Sequence, residues 1–313
     1  MKFIQIIALI ILATNSLQSL STNPTKIILK DISDRQCNTE QFHTLFRPFG
    51  SKYDIEEHEV TTDDGYVLKI FRVTLSAAEL LTQNIQKKSS VIYLQHGVLD
   101  SSDAWFLHHE DKSIGFYLLS HGYELWVGNN RGNKYSHTHI NKDIPNAEYY
   151  NYSFTEMGQF DIPAFYKHIL KKTGADKITF IGHSQGTTQM FAALTDPENP
   201  SNTAFVASKT ERFIAFSPIV FMSREGDGII STLSRLSWPL QGIIKTFGLW
   251  DLFPSDCQGS TLFKKVLTFI CQHFGVLCDN MPVVPINPKY DAYLDDIPFT
   301  LSHYPAGISA HAL

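Results

Sequence analysis

The sequence predicts an α/β protein, a doubly wound, mostly parallel sheet with a helical cap inserted after it. Three observations carry that prediction. Short apolar runs recur along residues 91–216, each ending at Gly, Asn, Ser or Pro, which is how strands buried on both faces read. Between two of those runs lies a segment with apolar residues at helical spacing, a capping box at its start and a glycine past its end. Beyond Ile219 the alternation is lost, and Gly, Pro, Trp and Phe are scattered among short amphipathic stretches. A sheet of alternating strands and helices binds its ligands at the carboxyl ends of the strands.

Composition narrows the function classes. At 313 residues the chain suffices for two domains or one large domain with an insertion, and at 43% hydrophobic and 18% charged it can bury a sizeable core. A net charge of −5 and the lack of a long basic run argue against a nucleic-acid binder. The four cysteines match neither a small disulfide framework nor the C-x-x-C spacing of a zinc motif, so no metal and no cofactor is expected.

Met1 and Lys2 precede an apolar run at residues 3–13, broken only by Gln5, followed by small and polar residues up to Ser21. This is the pattern of a signal peptide, placed at residues 1–20, and it is shorter than the roughly 20 apolar residues a membrane span needs. The expectation is a chain with no transmembrane segment, secreted or delivered to a lysosomal or other endomembrane lumen. Residues 21–218 are assigned to the sheet-and-helix core and 219–313 to the cap. Two β-rich stretches within residues 54–73 flank Asp63-Asp64-Gly65, a turn sequence, and predict an antiparallel hairpin at the sheet edge. Residues 77–90 read as a solvated loop or short helix. Buried parallel strands are predicted at 91–94, 124–127, 177–181 and 213–216. The helix at 155–172 has Ser153 and Glu156 as its capping box and Gly174 beyond its end, and Pro163 is expected to kink it. Asn151-Tyr152-Ser153 is the one glycosylation sequon without proline, which makes Asn151 a candidate acceptor.

The chemistry is concentrated at Gly182-His183-Ser184-Gln185-Gly186, which follows the third buried run and precedes a helix-like run at 187–194. G-x-S-x-G between strand and helix puts its serine on a strained, exposed turn, and a side chain at Gly182 or Gly186 would collide with the neighbouring strand or helix. Ser184 is the candidate nucleophile. His96-Gly97-Val98 closes the first buried run, where the backbone N–H of Val98, with that of Gln185, would form an oxyanion hole. His183 adjoins Ser184, but neighbours on a sharp turn point apart. His96 reads as a packed, hydrogen-bonded histidine. His108-His109 and His137-x-His139 lie in polar loop sequence with no metal role assigned.

Several runs, in order and at the right spacing, resemble one family. They are 94–102 (LQHGVLDSS), 127–136 (VGNNRGNKYS), 153–157 with 161–164, and 182–188 (GHSQGTT). Residues 53–73 and 301–307 (LSHYPAG) add to the likeness, which runs from about residue 50 to the end of the chain. The sequence is identified on these grounds as similar to the acid lipases, the gastric and lysosomal acid lipase type. The resemblance implies an α/β-hydrolase that cleaves acyl esters of glycerol or sterols, with a cap controlling admission of lipid. It also implies a disulfide in the cap, for which Cys257 and Cys271 are the preferred pair; Cys278 is the nearby third cysteine, and Cys37 has no obvious partner.

A serine hydroxyl needs a histidine to take its proton and a carboxylate to orient that histidine. In an α/β-hydrolase both come after the nucleophile, in the order Asp then His. The sequence is expected to reach Leu313 still within the cap, with the last strands missing and no triad Asp or His among its residues. Asp291, Asp295, Asp296, His303 and His311 follow Ser184, and Asp295 with His303 has the right order, yet neither follows a buried run. Oxyanion hole and binding alone give on the order of 10³–10⁴ over water. The expectation is a serine ester hydrolase whose 313 residues are inactive by themselves. Two alternatives stand beside it: a non-catalytic lipid-binding chain, and an esterase, thioesterase or acyltransferase on the same fold.

Overall fold

The hairpin is built as the turn residues require. In the computed structural model, which describes residues 39–220, 251–252, 303 and 306–309, β1 (Tyr53–Thr61) and β2 (Tyr66–Leu75) pair antiparallel. Between them Gly65 takes φ +95°, and a Cβ there would lie 2.7 Å from His139 Nε2, so the turn needs glycine twice over. β2 then joins the hairpin to the parallel core by pairing antiparallel with β4 (Glu124–Gly128). β3 (Val91–Gln95) runs parallel to both β4 and β6 (Ile178–His183), and β6 runs parallel to β7 (Thr210–Phe216). The sheet order is β1-β2-β4-β3-β6-β7, with the two-residue β5 (Thr138–His139) added onto β2.

Both faces of the central strands are covered, and the side-chain period of two sorts them. Val91 and Tyr93 of β3, Trp126 of β4 and Phe180 of β6 pack into one cluster with Phe165, Tyr166 and Met190. Ile92 and Leu94, Leu125 and Val127, and Ile181 pack into the other with Phe106, Phe116 and Leu119. Fully burying aliphatic and aromatic side chains of this kind contributes about 1.5–3 kcal/mol each. β7 departs from the expectation of a buried strand. It pairs with β6 on one side, no strand pairs with its other side among the described residues, and Ile214 and Phe216 are 38% and 39% exposed.

Helices α1 (Ile114–Ser120), α2 (Ile162–Thr173), α3 (Gln185–Thr195) and α4 (Pro200–Lys209) flank the sheet. The predicted capping box forms: Ser153 Oγ accepts from the Thr155 N–H while Glu156 Oε2 accepts from the Ser153 N–H at 2.7 Å. The expected kink at Pro163 takes a different form. A π turn over Met157–Asp161 separates the first turn (Phe154–Glu156) from α2, so Pro163 falls in the opening turn of α2, where a missing N–H is tolerated. The widened turn also lays Gly158 on α3, where a Cβ would sit 2.6 Å from the Gln189 carbonyl. Gly174 ends α2 at φ +69°, as predicted.

The signal peptide, the four cysteines with the Cys257–Cys271 pairing, and Asp291, Asp295, Asp296 and His311 lie outside the described residues. Of the stretch read as cap, the structure describes β8 (Asp251–Leu252), paired antiparallel with β9 (Ile308–Ser309), together with His303, Ala306 and Gly307. No helix among the described residues is long and apolar enough to cross a membrane.

Candidate active site

The turn between β6 and α3 carries the strain that its sequence implies. Ser184 adopts φ +51° and ψ −120°, a region that side-chain-bearing residues rarely occupy and that persists only when neighbours enforce it. The neighbours are visible. The Ser184 N–H donates to the Phe216 carbonyl at 2.9 Å, and the Ser184 carbonyl accepts from both the N–H and the hydroxyl of Thr187. A Cβ on Gly186 would lie 2.5 Å from the Gln95 carbonyl oxygen, and one on Gly182 would lie 2.9 Å from the Phe180 ring. Gly186 is required by the close approach of α3 to the end of β3, and Gly182 by the packing of its strand against the Phe180 ring and the Gly186 backbone. The Ser184 hydroxyl does not cap the helix that it begins, which leaves it available for chemistry.

The loop after β3 meets this turn directly. A Cβ on Gly97 would come 3.1 Å from Ser184 Cβ and 3.3 Å from His183 Nδ1, so the glycine gives the Val98 peptide a close approach to Ser184. Gln185 opens α3 directly after Ser184, and Val98 follows Gly97 on the facing loop. His96 is buried and structural. Its Nε2 accepts from the Asn130 N–H and from Asn133 Nδ2, each at 3.2 Å, which leaves the proton on Nδ1 to donate to the Gly97 carbonyl at 2.8 Å. Burial pulls its pKa down to about 4, so the ring stays neutral. His137 and His139 are likewise in hydrogen bonds, to the Tyr150 hydroxyl at 2.6 Å and the Asp64 carbonyl at 3.0 Å. The exposed Asn151 lies two residues before the Ser153 cap.

The run at 127–136 has a structural use that its polarity conceals. Its asparagines stitch the loop after β4 to the loop after β3: Asn129 Oδ1 accepts from the Ser102 N–H at 3.0 Å and from Asn133 Nδ2 at 2.9 Å. Arg131 is buried beneath them. It donates to Asp161 at 2.6 and 2.9 Å and to Asp64 at 2.6 and 3.0 Å, with its guanidinium 4.0 Å from the centre of the Tyr66 ring. Hairpin turn, β4 loop and π turn are thus held by one cation. Burial pushes the Asp161 carboxyl up to about 6 even with Arg131 beside it.

Sequence reasoning missed a second buried charge cluster. Lys134 and His303 both bond Asp103, the His303 Nδ1 contact being 2.6 Å, and the Tyr135 hydroxyl donates to the same carboxylate at 3.0 Å. Burial opposes ionisation of Asp103, but Lys134 and His303 outweigh it and hold the carboxyl at about 2. His303 had a formal partner in Asp295 by chain order; the structure pairs it with Asp103 instead. The nearest signal was a lysine inside a run of buried-loop residues, which demands an acid without saying which one. Asp100, in the same loop, is pushed up to about 7 by burial, the Ser101 N–H at 2.8 Å offsetting only part of it.

Comparison with known proteins agrees with this geometry. The model of a partial alpha/beta-hydrolase lipase region matches residues 49–109, and the model of the alpha/beta hydrolase fold matches residues 90–219. Lipase member J of Homo sapiens is 32% identical over 263 residues, which cover 82% of this chain and 67% of that protein. Gastric triacylglycerol lipase of Mus musculus is 39% identical over 268 residues, 83% of this chain and 63% of that protein. Lipase member K of Homo sapiens is 32% identical over 261 residues, 82% and 61%. The chain spans between 61% and 67% of the length of these curated relatives. With one relative matched over two thirds of its length and the strand–turn–helix of that fold formed around Ser184, the chain belongs to the acid lipase family of α/β-hydrolases.

Proposed function

We propose that the protein is a serine ester hydrolase, a lipase that cleaves acyl esters of glycerol or sterols through an acyl-enzyme on Ser184. The observation that carries this reading is the strained Ser184 turn with Gly97 packed so close that a Cβ added to it would lie 3.1 Å from Ser184 Cβ. Ser184 Oγ attacks the acyl carbonyl carbon while a base takes its proton. The Val98 and Gln185 N–H groups receive the oxyanion, a contribution worth about 10²–10³ in rate per donor. Collapse of the intermediate breaks the ester C–O bond, the alcohol leaves with the proton, and water then hydrolyses the acyl-enzyme by the same path. His96 is not the base, because both its ring nitrogens are in hydrogen bonds. In this reading the triad Asp and His are not among residues 1–313, and no metal or cofactor takes part.

Family membership and the names of the relatives support lipid esters as substrates. The apolar residues 3–13 support a signal peptide and a secreted or lysosomal destination. Exposure of Asn151 supports it as a glycan site, and a Cys257–Cys271 disulfide belongs to the same lumenal reading. The test is hydrolysis by the protein expressed from its complete reading frame, with emulsified long-chain triglyceride, cholesteryl ester and a soluble short-chain ester compared side by side. Hydrolysis of the first two, abolished by Ser184→Ala, is the expected result. Turnover of the short ester alone would replace the lipase reading by an esterase one, and no turnover with retained lipid binding would replace it by a non-catalytic one.

A further inference from the structure

A short segment late in the chain lies on the loop that would form the oxyanion hole, and it is bound there through its backbone and through buried charge. Ala306 donates its N–H to the Leu99 carbonyl and accepts from the Lys134 N–H, each at 2.8 Å, so one residue bridges the loops after β3 and β4. Leu99, next to Val98, is held at φ +60°, a conformation that a leucine does not adopt unaided. Three residues earlier, the His303 Nδ1 contacts Asp103 at 2.6 Å and the His303 carbonyl accepts from Lys134 Nζ at 3.1 Å. At the other end Ser309 Oγ donates to the Tyr150 carbonyl. His303, Ala306, Ser309, Asp103 and Lys134 are all buried, at 3% exposure or less.

Burying a lysine and a carboxylate carries a desolvation penalty that an apolar pair does not, so the cluster calls for more than cohesion. What it touches supplies the reason. Asp103 and Leu99 lie at either end of the loop that follows Val98, and both are fastened to the 303–309 segment. On the hydrolase reading above, we propose that this segment is a clamp on the oxyanion loop, with His303 as a positioning residue. Ala306 fixes the Leu99 carbonyl, His303 anchors the far end of the loop through Asp103, and Lys134 ties the two together, which sets the direction of the Val98 N–H. A carboxylate at Nδ1 also orients the base of a catalytic triad, so the variants below are chosen to separate the positioning role from that one.

The test uses the protein expressed from its complete reading frame, with His303→Ala and His303→Asn. Asparagine can donate from the position of Nδ1 but cannot relay a proton. A misaimed donor costs up to about a hundred-fold, so His303→Ala is expected to lower kcat about ten- to a hundred-fold with KM within about two-fold, and His303→Asn to recover most of it. Hydrogen exchange gives a second readout independent of turnover: in His303→Ala the amides of 98–103 lose protection while those of β3 and β6 keep theirs. Unchanged kcat in His303→Ala, or unchanged protection at 98–103, overturns the clamp. Loss in His303→Asn as deep as in Ser184→Ala overturns it too, in favour of a base. A wild-type protein with no ester turnover and no labelling of Ser184 by a fluorophosphonate would overturn the hydrolase reading and the positioning role with it, while the exchange comparison still decides whether the segment holds the loop.

Discussion

Two loops converge on the carboxyl end of this sheet, and they are held by opposite means. The turn at Ser184 is held by absence: Gly182 and Gly186 let β6, α3 and the end of β3 approach until no side chain would fit, and the strain at Ser184 follows from that closeness. The loop after β3 is held by presence. Buried amides, an imidazole and the Lys134–Asp103–His303 cluster fasten it to residues as much as 200 positions away. The first device is local in sequence and rigid by sterics. The second is non-local, depends on ionisation, and can be altered without touching Ser184.

The largest effect is expected at Ser184, the proposed nucleophile. Ser184→Ala is predicted to lower kcat on the order of 10⁶-fold with the thermal transition unmoved, since it removes one atom from a half-buried hydroxyl. Retained turnover would transfer the chemistry to another residue. Next in size is the buried cation. Asp161→Ala leaves Arg131 with Asp64 alone and is expected to cost about 3–5 kcal/mol in urea denaturation, the range for orphaning a buried charge. A cost below about 1 kcal/mol, as for surface pairs, would show that the network is wetter than its burial implies. Gly186→Ala should cost less, about 1–3 kcal/mol, because its Cβ meets the Gln95 backbone at 2.5 Å and the helix must retreat. That retreat also moves the Gln185 N–H, so its kcat should fall alongside.

The smallest prediction probes the loop after β3 by pH, through two carboxyls of opposite sign. Asp100 keeps its proton in the folded protein to about pH 7, whereas an unfolded aspartate loses it near 3.8. Folding therefore binds a proton in that window, so its contribution is full below pH 3.8 and is lost as pH rises through about 7. Asp103 has the reverse sign: held at about 2, it contributes above 3.8, and that contribution is lost as pH falls through about 2. Asp100→Asn should thus flatten the decline in Tm between these limits and leave the acid limb alone. A Tm profile superimposable on wild type would mean that Asp100 is ionised in the fold.

The contrast also explains what could be read in advance. The hairpin around Asp63-Asp64-Gly65, the strands at β3, β4 and β6, the Ser153–Glu156 cap and the Ser184 turn all rest on residues within a few positions of one another, so their patterns survive in one dimension. Helices α1 and α4 are not legible: α1 is seven residues with a glycine near its start, and in α4 only Val206 is buried, so neither shows an amphipathic stripe. The π turn before Pro163 was hidden because the periodicity continues through it. The charged partners were hidden for a different reason. Asp64 looks like a turn residue and Asp103 like part of a polar loop until the fold brings Arg131, Lys134 and His303 to them.

The central claim is that Ser184 is an activated nucleophile, and one measurement addresses it most directly. The protein expressed from its complete reading frame is treated with a fluorophosphonate, digested, and the modified peptide is located by mass spectrometry. The account predicts a single phosphonyl adduct on the peptide containing Gly182-His183-Ser184-Gln185-Gly186, absent in Ser184→Ala. An unmodified peptide at that position, or an adduct carried by another serine, would contradict it.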